Sequence, residues 1–249
     1  MSHFLLALQF LTVIPLKIKE SSEQKMADSV VYFPLIGLAI GLLLIVVNTL
    51  LSYLNFPNLT LNVILVVTLI IVSGGMHLDG LSDTADAFLS GKPKEEMLNI
   101  MRDPHVGVMG VLSLASIIFL KIALLFSVNG SLRQEALILM CVASRWSVVP
   151  QMFFFPYARK EGKASAFIQG MTLKTFIIST VIVILCASLV WGIKGLITLL
   201  AAVVFVYIIG KLASSKIGGI TGDTLGATIE LTEVITLLSV CITGGMIYG

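Results

Sequence analysis

Charge is what this sequence has least of. Of its 249 residues only 12% are Asp, Glu, Lys or Arg, about half the share usual in a soluble domain. With 57% hydrophobic residues and a mean hydropathy of +1.03, that deficit excludes an ordinary soluble domain and argues for a polytopic membrane protein. Cysteine is scarce as well. Cys141, Cys186 and Cys241 each sit inside an apolar run, too few and too scattered for a disulfide framework or a metal cluster. They read as small buried hydrophobes. No P-loop, zinc pattern, Ser-His-Asp arrangement, internal repeat or low-complexity tail is present, and residues 1–249 read as one integral membrane domain. The net charge of +2 gives no reason to expect nucleic acid as a partner.

What is present is a series of apolar runs. Seven are long enough to cross a bilayer as helices, roughly 30–53, 59–75, 110–127, 135–155, 175–192, 195–211 and 229–248. Helices are expected because lipid offers the backbone no hydrogen-bond partners. The turn at Gly192-Ile193-Lys194-Gly195 makes the fifth and sixth runs an antiparallel hairpin. The opening apolar stretch is followed, not preceded, by basic residues, which argues against a signal peptide. At about 13 residues it is short for a span and reads as an interfacial or re-entrant helix. Lys and Arg alternate along the connections in the series 3, 0, 3, 1, 4, 1, 2, 0. That places the N-terminus in the cytoplasm and the C-terminus outside a cell (inner) membrane.

Two cations fall inside runs. Lys121 can snorkel. Arg145 lies deeper and needs a polar interior with an anionic partner, either substrate or a carboxylate at a helix end.

The acids gather in the connections assigned to the cytoplasm and at the helix ends beside them. In "GGMHLDGLSDTADAF" (74–88), Asp79, Asp83 and Asp86 are spaced i, i+4, i+7 and share one helix face. Three like charges with no cation among them are locally unfavourable unless solvated or bridged by a divalent cation. Mg²⁺ suits such a site, since it takes one or two carboxylates and completes its shell with phosphates and water. "MRDPHVGVMG" (101–110) adds Arg102, Asp103 and His105 on a turn. "GGITGDTLGATIELTE" (218–233) offers Thr221 or Asp223 as a helix cap, and carries Glu230 and Glu233 further into an apolar helix. "YARKEGKASAF" (157–167) is basic, through Arg159, Lys160 and Lys163, and suits either anionic lipid or a phosphate. Acids able to hold a metal beside cations able to hold phosphate suggest Mg²⁺-assisted phosphoryl transfer at a membrane surface. An ion- or proton-coupled transporter is the alternative, opposed by the lack of a duplicated half.

"FPLIGL" (33–38), "GGMHLDGLSDTADAF", "MLNIMRDPHVGVMG" (97–110), "YARKEGK" (157–163) and "TGDTLGATIELTE" (221–233) together resemble, in order, the cobalamin synthases, or adenosylcobinamide-GDP ribazoletransferases. The resemblance runs from "FLTVIP" (10–15) nearly to the C-terminus. It implies an all-α membrane enzyme that joins adenosylcobinamide-GDP to α-ribazole or its 5′-phosphate, releases GMP and requires Mg²⁺. Asp79, Asp83, Asp86 and Asp103 are then the expected metal ligands, and Asp83, Asp86, Asp223 and Glu230 the expected catalytic acids. His77, Arg102, His105, Arg145, Arg159 and Lys163 are the expected substrate contacts. Membrane lipid is an expected neighbour, and the oligomeric state is left open, a homo-oligomer included.

Overall fold

A computed structural model describes residues 2–16, 22–159, 162 and 164–244. The helices, in chain order, are α1 (Ser2–Leu11), α2 (Glu23–Ser29), α3 (Phe33–Tyr53), α4 (Asn58–Ser73), α5 (Met76–Leu89), α6 (Lys94–Ile100), α7 (Val108–Ser127), α8 (Arg133–Phe154), α9 (Ser165–Gln169), α10 (Leu173–Ile217) and α11 (Gly222–Gly244). Among the described residues there is no strand, only an isolated bridge between Tyr157 and Ile220.

Five helical stretches are long and apolar enough to cross a membrane, and α4 with α5 makes a sixth if that bent pair counts as one span. By length and composition the count is therefore five or six, where the sequence suggested seven. The difference lies in α4, which at 16 residues counts only together with α5, and in α10. α10 is recorded as 45 residues, but Trp191 and Gly192 leave helical geometry, with Gly192 at φ 56. Eight residues of straight helix would separate Ala187 from Gly195 by about 12 Å. Instead a Cβ on Gly195 would run into the Ala187 carbonyl, so the chain doubles back there. α1, at 10 residues, is too short to span.

The bundle is organised around α8 and α11, whose most apolar stretches are 78% and 72% buried, against 22% for α7 and 17% for α10. α7 and α10 turn their apolar side chains outward, as lipid-facing helices do. α3 reaches α8 through Gly37 and Gly41. A Cβ on Gly37 would strike the Cys141 carbonyl, and one on Gly41 would lie 3.0 Å from the Ile138 Cα. Small residues four apart let two backbones approach where lipid supplies no hydrophobic drive.

Two features of the chain position the acids. α4 ends at Gly74 (φ 64) and α5 begins after Gly75 (φ 69), and these consecutive left-handed residues bend the pair by 91°. Only glycine takes that conformation without steric cost. α5, at 14 residues too short to cross a bilayer alone, thus leaves the direction of α4. It then packs on the first turns of α11, where a Cβ on Gly80 would lie 2.7 Å from the Asp223 carbonyl oxygen and one on Gly226 3.1 Å from that of His77.

Candidate active site

α11 starts on a reciprocal pair. The Thr221 hydroxyl accepts from the Thr224 amide at 3.2 Å, and the Thr224 hydroxyl from the Thr221 amide at 2.8 Å. This is the logic of a capping box. Because Thr221 is the cap, the Asp223 side chain is free for other contacts. The loop after α8 is stitched alongside, with Ala158 N–H donating to the Ile220 carbonyl and Ile220 N–H to the Pro156 carbonyl, both at 2.8 Å. The stitch delivers Arg159, whose Nη2 lies 2.6 Å from Asp223 Oδ2.

These elements enclose a cavity of about 450 Å³ at one end of the bundle. Its rim is polar, with Asp79, Asp83, Asp223, Arg102, Arg159 and Tyr157. Its inner wall is apolar, with Val148 and Met152 from α8, Leu225 and Ile229 from α11, Met76 from α5 and Phe10 from α1. Phe10 is held by Phe167 at 4.2 Å and Phe33 at 5.8 Å between ring centroids. Burial, then Asp79, Asp223 and Asp86 in turn, push the Asp83 carboxyl up to about 7, while Arg159 pulls the other way.

The other expected site residues are placed differently. Asp86 lies on the Asp79 helix face but spends both oxygens on the start of α7, accepting from Gly107 and Gly110 N–H at 2.8 Å each. Asp103 and His105 are exposed, outside the cavity lining, and bonded to each other at 2.6 Å. The His105 backbone N–H, followed by its ring, holds the Asp103 carboxyl below its usual value. His77 lines the cavity floor with its ring buried. Lys163 lies outside the described residues.

Glu230 and Arg145 stand one layer deeper, away from the cavity lining. Lys121 Nζ meets Glu230 Oε2 at 2.5 Å and also contacts Glu233, which in turn pairs with Arg145. All four are buried, and their formal charges cancel. Lys121 is thus not a snorkelling residue, and the partner Arg145 requires is Glu233. Two cations and two acids inside apolar runs were the available signal for this quartet, although nothing in the chain order said which would pair.

Among the described residues no three His, Cys, Asp or Glu side chains form a ready metal cage. The donor set nevertheless suits a hard cation. Asp79, Asp83 and Asp223 present oxygen ligands, and Asp83, raised first by burial and then by its acidic neighbours, is a carboxylate whose charge a divalent ion would offset.

The fold and site define a multi-pass α-helical membrane protein with an acidic, cation-flanked cavity where its helices end. The family model described as cobalamin-5-phosphate synthase matches residues 3–241. The adenosylcobinamide-GDP ribazoletransferase of Acinetobacter baumannii is 37% identical over 243 residues, covering 96% of both chains. Those of Desulforamulus reducens and Clostridioides difficile are 36% and 32% identical, covering 93% and 96% of each chain. No solved structure matches. The chain belongs to the cobalamin synthase family, whose members are ribazoletransferases of cobalamin biosynthesis, and it is an enzyme of that class.

Proposed function

We propose that this enzyme transfers the cobinamide phosphate of adenosylcobinamide-GDP to a hydroxyl of α-ribazole, or of α-ribazole 5′-phosphate, with Mg²⁺ and release of GMP. The observation that carries the reading is the convergence of Asp79 and Asp83 from α5 with Asp223 from α11 around one cavity beside Arg159 and Arg102. Asp79 and Asp83 would hold the cation. When bound, it neutralises the diphosphate, which otherwise repels both the acids and the incoming oxygen.

The chain's own residues have separate tasks. Arg159 and Arg102 bind and orient the diphosphate. Asp223 takes the proton from the attacking ribazole hydroxyl as the new P–O bond forms and the bond to GMP breaks. Its present partner, Arg159, is the same group that meets the phosphate, so substrate entry frees the base. Asp86 fixes α5 against α7 and thereby the direction of Asp83. Glu230, Arg145, Lys121 and Glu233 hold the bundle beneath the site and take no part in the chemistry.

The fold reading extends to seven crossings, with α10 counted as two after its break at Trp191–Gly192. The cavity faces the cytoplasm in a cell inner membrane, with the C-terminus outside. The distribution of Lys and Arg along the connections supports that orientation.

The test is a mass-spectrometric assay of the purified protein with adenosylcobinamide-GDP, α-ribazole or its phosphate, and Mg²⁺, with and without chelator. The joined corrinoid and GMP are expected in equal amounts, and chelator should abolish both. Absence of product ends the transferase reading, and product indifferent to chelator ends the Mg²⁺ assignment.

A further inference from the structure

We propose that the apolar inner wall of the cavity holds the flat aromatic base of the ribazole, while the corrin stays outside. The inference rests on the transferase reading above and adds which substrate occupies the enclosed space. Val148 and Met152 are one turn apart on α8, and Leu225 and Ile229 one turn apart on α11, so each pair forms a ridge on its helix. All four are less than 5% exposed, whereas Asp79 and Arg102 at the same cavity are exposed. The apolar ridges are therefore the floor and the charged groups the rim.

Size and chemistry then choose the occupant. A cavity of about 450 Å³ suits one drug-sized ligand. A corrin carrying an adenosyl group and a GDP-bearing arm is far larger, so it cannot share that space with a nucleoside. The floor cannot solvate a diphosphate. It is also poor for guanine: the buried His77 ring, its Nε2 without a partner, offers a single polar contact there, where the amide and amino edge of guanine needs several to replace its hydrogen bonds to water. A benzimidazole has an apolar ring edge and loses little. Met76 and Met152 supply the pliable sulfur contacts that aromatic rings favour. Asp223 and Ile229 are six residues apart on α11, about 9 Å along the axis. A nucleoside with its base against Ile229 has the reach to bring a ribose hydroxyl to Asp223.

Two measurements test this. Steady-state kinetics of Val148→Phe, which fills the floor, should show the KM for α-ribazole raised about tenfold, with the KM for adenosylcobinamide-GDP within about twofold of wild type. The opposite split would overturn the assignment. The second measurement needs no variant, so a misfolded Val148→Phe protein leaves the proposal testable. Met76 in the cavity and Met109 outside it are 42% and 43% exposed, a matched pair for peroxide oxidation read by mass spectrometry. Saturating α-ribazole should slow oxidation of Met76 several-fold and leave Met109 unchanged, and GMP at the same concentration should protect neither. Protection of Met76 by GMP, or its absence with α-ribazole, would overturn the subsite. Failure of the transferase reading itself is separate, since it appears as no product from the wild-type protein.

Discussion

The protein keeps two groups of charged side chains in contact with α11, and they differ in balance rather than in residue type. Among the described residues of the cavity rim, Asp79, Asp83 and Asp223 outnumber the cations Arg102 and Arg159, and Asp83 is driven up to about 7. One layer down, Lys121, Arg145, Glu230 and Glu233 cancel and are shut away from water. A balanced buried group has its field satisfied internally and serves to fix helices. An unbalanced, accessible one retains an attraction for something not yet bound, which is how sites are distinguished from struts. Buried charges within a membrane are functional candidates by default, and here that default points to the balanced group rather than the accessible one.

The sharpest way to break the comparison is to neutralise one member of each. Asp83→Asn should lower kcat by about a thousandfold while the melting temperature of the metal-free protein holds or rises, because a repelled charge has been removed. Retention of near-normal turnover would remove Asp83 from the chemistry. Glu233→Gln should do the reverse. It leaves Lys121 and Arg145 short of one negative charge in a buried setting, a defect worth about 3 kcal/mol or more of stability. Folded protein recovered in detergent should fall sharply, with kcat per folded molecule little changed. The double change Lys121→Met with Glu230→Leu sharpens the test, because it removes one charge of each sign. Recovery should return towards wild type with activity intact. An inactive but stable double variant would return Glu230 to the reaction.

How much of this was legible beforehand depended on whether a signal was local. The apolar runs and the shared face of Asp79, Asp83 and Asp86 lie in short windows and were readable from spacing, whereas the bend at Gly74 and Gly75 was not drawn from the sequence. What divides that face is not local. Asp86 is claimed by the amides of Gly107 and Gly110, more than twenty residues on, so a stripe that suggests three metal ligands yields two facing the cavity. Asp103 and His105 were expected at the site from the residue types of the 101–110 turn and from the family resemblance; the structure places them outside the cavity lining, bonded to each other. The quartet posed the same difficulty in reverse: its charges were visible, but pairing Lys121 with residues more than a hundred positions away requires the fold. Gly37 and Gly41 are a four-residue small pair in plain view, and their use against α8 was missed because the stretch was read only as an apolar span. The apolar floor could not be anticipated at all, since Val148 and Ile229 look like any other membrane residues until the fold places a cavity beside them.

A gentler break separates α5 from α11 without touching charge. Gly80→Ala would place its Cβ 2.7 Å from the Asp223 carbonyl oxygen and 3.0 Å from its Cα. Both are backbone atoms, so one helix must give. A cost of about 2 kcal/mol is expected for such overpacking, with a fall in kcat of roughly tenfold from misplaced groups. Gly75→Ala is the control. Nothing lies within 4 Å of its Cβ, so only the strain of its φ of 69 is added, about 1 kcal/mol, with the acids left in register. Equal loss of activity in both variants would show that the bend, not the α5–α11 contact, sets the site.

The smallest effect is the dependence on pH, and it isolates the unbalanced group. With Asp83 raised to about 7 from the ordinary 3.8 of an aspartate, the folded protein holds more protons than the unfolded chain between those values. Stability of the metal-free protein therefore falls as pH rises through that window and levels off above it. Partial exposure of Asp83 limits the shift and so narrows the window over which the decline runs. Thermal melts from pH 5 to 8 should show this decline, and saturating Mg²⁺ should flatten it, because a bound cation favours the ionised carboxylate in the fold. Asp83→Asn should flatten it without Mg²⁺. A wild-type melting curve that climbs over the same range would mean that the Asp83 carboxylate is already compensated, and the two charged groups would then no longer differ in the way that separates site from strut.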